Sequence, residues 1–204
     1  MVALLRKYLS QFVVLADEEL DALMNEIEVS SYDKKVRLAD IGDVEMYLHF
    51  IVKGLARKYF YKGKDEIITQ IAKEGELICS SVSFFSGRPS GYIVETIEPT
   101  TFYSLHKEKL EQLYKRFPNM EKMSRLIITE LFLQKEYWEL ERIRYTTKER
   151  FVRFMGENPD LFQRVPQKYL ASYLNIKPET FSRLKHLLRS KKDSEKSESP
   201  VVRK

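Results

Sequence analysis

The chain has 204 residues, 43% hydrophobic and 12% aromatic, with a formal net charge of +5 and a single cysteine, Cys79. That length buries one large core or two small ones, the apolar content excludes a wholly disordered chain, and the lack of any apolar run of about eighteen residues excludes a membrane-spanning helix. One cysteine excludes an intrachain disulfide and suits the reducing cytoplasm, where the protein is expected to reside.

The opening segment, MVALLRKYLSQFVVLADEEL, has apolar residues at helical spacing broken by Arg6, Lys7 and Gln11. It reads as an amphipathic helix rather than a signal peptide, with helical character over Leu4 to Ile27. Short β-type runs follow at Val36 to Ala39, Tyr47 to Lys53, Leu55 to Tyr61, Glu66 to Ala72, Gly91 to Ile97 and Thr101 to Leu105, separated by glycine-bearing turns. Strands this short and close predict an antiparallel sandwich or barrel rather than βαβ units. Helical periodicity resumes over Lys107 to Phe117, stops at Pro118, and runs again from Asn119 to Arg144. The long segment has two apolar stripes, one through Met123, Leu126, Leu133, Tyr137 and Leu140, the other through Met120, Ile127, Leu131 and Trp138. A helix with two apolar faces needs two partners: its own domain and a second copy, with Met120, Ile127, Leu131 and Trp138 as the expected dimer contacts. Thr146 and Glu149 have the spacing of a capping box and open a further helix.

Residues 165–190, VPQKYLASYLNIKPETFSRLKHLLRS, read as two short helices and a tight turn. Pro166 and Pro178 each suit a first helical position, and Asn175 tolerates the left-handed backbone that the turn needs. Leu170, Ala171 and Leu174 bury one face of the first helix; Phe181, Leu184, Leu187 and Leu188 bury one face of the second. This pattern has the form of a DNA-reading helix-turn-helix, and its expected DNA contacts are Lys177, Glu179, Thr180, Ser182, Arg183, Lys185 and Arg189. The charge is distributed accordingly: residues 144–204 carry +8 and residues 1–143 carry −3. A basic end of this kind points to a polyanion partner. The last stretch, 191–204, is polar and charged and is expected to be disordered.

Helix, β barrel, long helix and helix-turn-helix, in that order, resemble the catabolite activator and fumarate-nitrate regulator (Crp/Fnr) family. Ile51-Val52-Lys53-Gly54 is similar to that family's "IVKG" turn, Gly75-Glu76-Leu77-Ile78 to its "GDFI" segment, and Glu179 to Leu184 to its "ETVSRxL" recognition-helix signature. The resemblance implies an α+β protein: a cyclic-nucleotide-binding-like antiparallel barrel or jelly roll as sensor domain (1–118), a dimerisation helix (119–144) and a helix-turn-helix domain (145–190). It implies a homodimeric transcription regulator of double-stranded DNA, with RNA polymerase and an unidentified small-molecule effector as further partners. Glu179 and Arg183 carry over as base-reading residues, and Thr180 and Ser182 as their support at phosphates.

The resemblance departs at the nucleotide pocket. Cyclic-nucleotide-binding members follow the "GDFI" segment with Gly-Glu-Leu and, some residues later, Arg-Ser, where Glu holds the ribose and Arg the cyclic phosphate. Aligned without a gap, this chain has Cys79-Ser80-Ser81 and Ser90-Gly91, so both charged anchors are missing. Control by cyclic AMP is therefore not expected. Ser80, Ser81, Ser83, Arg88 and Ser90 are the candidate pocket for a different polar or anionic effector.

One cysteine cannot build an iron-sulfur cluster within the chain, and His49 and His106 are isolated histidines rather than a metal or haem site, so no cofactor is expected. Nor is there a nucleophile-base pair, an HExxH or a Walker loop; the chain is not expected to be an enzyme. The competing reading is a small-molecule-binding module whose basic C-terminal region binds DNA without sequence preference.

Overall fold

A computed structural model of the chain describes residues 2–186, so Leu187, Leu188, Arg189 and the tail over 191–204 lie outside the described residues. The chain divides into two compact units, residues 1–135 and 136–204.

The first unit opens with two helices, α1 (Val2–Leu9) and α2 (Asp17–Glu26), where the apolar spacing predicts one. The break falls before Asp17, and the Glu19 carboxylate turns back to accept the Ala16 N–H at 2.8 Å, so the second helix starts afresh. Eight strands follow: β1 (Ile27–Tyr32), β2 (Arg37–Ala39), β3 (Tyr47–Lys53), β4 (Ala56–Lys62), β5 (Asp65–Ala72), β6 (Leu77–Ile78), β7 (Ile93–Thr96) and β8 (Thr100–His106). A short helix, α3 (Ser81–Ser86), sits between β6 and β7. The strands form two four-stranded antiparallel sheets, ordered β1-β8-β3-β6 and β2-β7-β4-β5.

Strand alternation explains the two layers of core. Ile51 of β3 and Phe102 of β8 point toward the second sheet and pack with Ala56, Ala72, Ile78 and Val94. Their neighbours Phe50, Val52, Tyr103 and Leu105 point the other way and meet the helices, packing with Leu5, Leu9, Leu20, Leu23, Leu110, Leu113, Met120, Met123 and Ile127. The last five come from α4 (Lys107–Arg116) and α5 (Pro118–Arg144). The β3–β4 turn depends on Gly54, whose φ is +99°. A Cβ there would stand 2.6 Å from the Pro99 carbonyl oxygen and 2.6 Å from Thr100 Oγ1, so only glycine fits.

The second unit holds α6 (Thr147–Glu157), α7 (Pro159–Arg164), α8 (Gln167–Tyr173) and a helix, α9, over 178–186. The expected capping box opens α6: Thr146 Oγ1 accepts the Glu149 N–H and Glu149 Oε2 accepts the Thr146 N–H at 2.8 Å. Pro166 stands one residue earlier than expected, as the N-cap of α8 rather than its first helical residue. Asn175 has φ +54°, the left-handed turn its position predicts. Phe151, Leu161, Val165, Leu170, Ala171, Leu174, Phe181 and Leu184 are buried together as the core of these helices.

Candidate functional site

On α9, Phe181 and Leu184 are buried, and the Phe181 ring meets Phe151 edge-on at 5.1 Å and lies 6.2 Å from Phe162. Those contacts fix the rotation of the helix about its axis. Glu179, Ser182, Arg183 and His186, at spacings of three, four and seven, form the exposed stripe opposite. Three of the expected DNA contacts, Glu179, Ser182 and Arg183, are thus brought onto one face, and His186 joins them although it was not among the expected contacts. Its spacing from Arg183 was the available signal. Lys177 is exposed just before the helix, whereas Thr180 and Lys185 are half-buried on its flanks. The Lys185 ammonium lies 4.8 Å from the centre of the Phe162 ring, so its stem packs on the protein while its charge stays near the helix. Arg189 lies outside the described residues.

The expected dimer contacts separate into two groups. Met120 and Ile127 are 0% and 8% exposed and belong, with Met123 of the other stripe, to the core of their own unit against sheet β1-β8-β3-β6. Trp138 stacks at 5.6 Å on Tyr173 of α8, with the Arg142 guanidinium 5.3 Å from its ring. Only Leu131 is exposed as expected. The apolar surface that α5 leaves uncovered is broader: Ile128, Leu131, Phe132, Leu133, Tyr137, Leu140 and Ile143, with Tyr137 66% and Ile143 82% exposed. Neither expected stripe is covered along its length: Met120 and Ile127 of one and Met123 of the other are buried in the first part of α5, and both stripes are exposed further along at Leu131, Leu133, Tyr137 and Leu140.

The expected effector residues surround α3. Ser80 and Ser90 are buried with their hydroxyl oxygens 2.7 Å apart. The Ser90 hydroxyl has two acceptors within reach, Ser80 Oγ and the Tyr92 carbonyl at 2.8 Å, and itself accepts the Tyr92 N–H at 3.0 Å. Ser83, also buried, donates to the Arg88 carbonyl and accepts the Glu45 N–H at 2.9 Å. Ser81 and Arg88 are exposed. The five residues therefore do not converge as a cradle: three tie the segment to itself and two face outward.

The sequence reasoning missed Glu45. Its buried carboxylate accepts the Tyr47 N–H at 3.1 Å and the Ser80 N–H at 3.3 Å, and burial raises its pKa above the usual glutamate range. Cys79 is buried, and its thiol is pushed up to about 11, so it stays protonated and packs as a small apolar residue. His49 is buried with Nδ1 2.8 Å from Ser104 Oγ and its ring edge-on to Phe102. His106 caps α4, its Nδ1 accepting the Glu108 N–H. Among the described residues no cluster of three or more His, Cys, Asp or Glu is placed to hold a metal ion, and no helix is long and apolar enough to cross a membrane.

Two antiparallel sheets with the short helix α3 between β6 and β7, a long helix and a C-terminal helical unit holding a tight helical turn define the fold. Comparison with family models agrees: residues 29–117 match the cyclic nucleotide-binding domain. Over most of its length the chain has the fold of the Crp/Fnr transcription regulators. It is similar to the catabolite activator protein of Thermus thermophilus (21% identity, 90% of this chain and 87% of that one, TM-score 0.55). It is also similar to CLP of Xanthomonas campestris, a c-di-GMP-responsive global regulator (14%, 86% and 93%, TM-score 0.69), and to FixK2 of Bradyrhizobium japonicum (19%, 81% and 85%, TM-score 0.67). No curated protein sequence gives a significant match.

Proposed function

We propose that the chain is a transcription regulator that binds a pseudo-palindromic operator as a homodimer and does not respond to cyclic AMP. The observation that carries the DNA-binding reading is the exposed stripe of Glu179, Ser182, Arg183 and His186 on a helix whose opposite face is held by Phe151 and Phe162. Side chains of these types hydrogen-bond base edges in the major groove, and a rigid helix presents them together. The uncovered apolar surface of α5 supports pairing with a second copy. Two such helices would read half-sites about 34 Å apart. Selection of bound duplexes from a random pool tests the reading: a palindromic motif is expected, and unselective binding would favour a module with no sequence preference. On the selected duplex, Arg183→Ala should cost about 1–3 kcal/mol and relax preference at one position per half-site, whereas Lys177→Ala should weaken all sequences alike and flatten the salt slope.

Independence from cyclic AMP rests on the segment around α3. The two positions where the resemblance puts the ribose and phosphate anchors are Ser80 and Ser90, and their hydroxyls bond to each other. A cyclic phosphate would lose a bidentate guanidinium contact, worth several kcal/mol by order of magnitude, and would approach the Glu45 carboxylate. Calorimetric titration with cyclic AMP is expected to give no binding tighter than about 10 μM, and a tighter constant overturns this part of the reading.

A further inference from the structure

Lys58 has no part in the reading above. It lies on β4 between Ala56 and Phe60, opposite Val94 of β7, on the side of the strand that faces the other sheet. Its ammonium donates to the Cys79 carbonyl at 3.3 Å and stands 5.8 Å from the centre of the Tyr92 ring. An ammonium has three donors, and among the described residues this one has a single acceptor and no carboxylate at ion-pair distance. Burial holds its pKa below the ordinary lysine range, and the positive charge of Lys135 on α5 pushes in the same direction. A mostly buried cation with one hydrogen bond and a like charge as neighbour is costly unless an anion is supplied. The serines around α3 do not supply one: Ser80 and Ser90 satisfy each other, and Glu45 is engaged by backbone N–H groups.

The surroundings narrow the class of anion. One ammonium is a compact point charge without the planar fork that matches a phosphate bidentately, so it suits a single carboxylate. Beside it Tyr92 and Phe60, both half-buried, meet edge to face at 5.9 Å and give an aromatic wall. We propose that Lys58 anchors a site for a small aromatic monocarboxylate, its carboxylate on the ammonium and its ring against Tyr92 and Phe60. Such a ligand uses neither Ser80 nor Ser90, the positions of the missing nucleotide anchors. The site deepens the reading of this unit as an effector domain and rests on it.

Sodium benzoate is the probe, with sodium phosphate at matched ionic strength beside it, titrated calorimetrically into the full chain without DNA. Benzoate is expected to bind at about 1 mM or tighter, to lose at least about tenfold in affinity with Lys58→Met, and to lose a few-fold with the exposed Lys135→Gln. Should Lys58→Met fail to fold, the wild-type chain with 15N-labelled lysines decides: benzoate must shift the Lys58 ammonium resonance and raise its pKa. No saturable benzoate heat, equal binding by wild type and Lys58→Met, an unmoved Lys58 resonance, or tighter binding of phosphate than of benzoate each overturns the proposal. Duplex selection is read separately, so loss of DNA binding would strike the regulator reading and leave the benzoate result standing.

Discussion

Arg57→Met is expected to remove about 3–5 kcal/mol of folding stability. The Arg57 side chain is 2% exposed. It holds Glu66 with two nitrogens, at 2.6 and 3.2 Å, and Glu95 with two contacts to Oε1, at 2.8 and 3.2 Å. Its guanidinium also lies 4.0 Å from the centre of the Tyr59 ring, and Tyr59 donates to the second Glu95 oxygen at 3.2 Å. Arg57 and Glu95 face each other directly across the β4–β7 pair, so removing the cation leaves a buried carboxylate with only Arg37, 3.8 Å away, to offset it. Methionine keeps most of the volume, which separates lost charge from lost packing. Urea unfolding of wild type and variant checks this, and a loss below about 1 kcal/mol would mean that the cluster behaves as a surface pair. Adding Glu95→Gln to Arg57→Met should recover part of the loss, because the uncompensated charge goes with it.

The second large effect depends on pH. Burial lowers the pKa of His49 from 6.5 to about 4. The folded state thus keeps the ring neutral while the unfolded chain takes up a proton below about pH 6.5, so stability falls as the pH drops from there toward 4 and then levels off. The span corresponds to about 3 kcal/mol for this one group. His49→Gln retains a partner for Ser104 and has no proton to gain, so the difference between wild-type and variant stability should change by that amount across the window. Parallel curves for the two proteins between pH 7 and pH 4 would show that His49 titrates as an ordinary exposed histidine. The raised pKa of Glu45 acts with opposite sign, which is why the comparison is between two proteins rather than two pH values.

Both effects concern side chains whose importance depends on pairing across strands, and that is where sequence reading stops short. Turn residues and alternation marked six strands because Gly54, Gly63 and Gly75 punctuate the apolar runs and each strand presents one face to a core. The helical spacing of the opening segment runs on to Ile27, the first residue of β1, and β6 and α3 are too short to carry a period of their own. The outward face of α9 was legible in part, because burial of Phe181 and Leu184 turns Glu179, Ser182 and Arg183 outward, whereas Thr180 and Lys185 are half-buried on its flanks. Arg57 and Lys58 are adjacent basic residues in the same strand, and nothing local distinguishes one from the other. The register gives Arg57 two carboxylates and Lys58 a carbonyl. Glu45 sits in an irregular segment with no periodicity at all, and its link to Ser80 spans 35 residues.

Trp138 is the only tryptophan in the chain, and its indole rests on Tyr173 of α8 under Arg142. Every photon of tryptophan emission from a solution of this protein therefore has one origin, on α5 beside Tyr173 of α8. The unlabelled protein thus carries its own optical probe of the contact between α5 and α8.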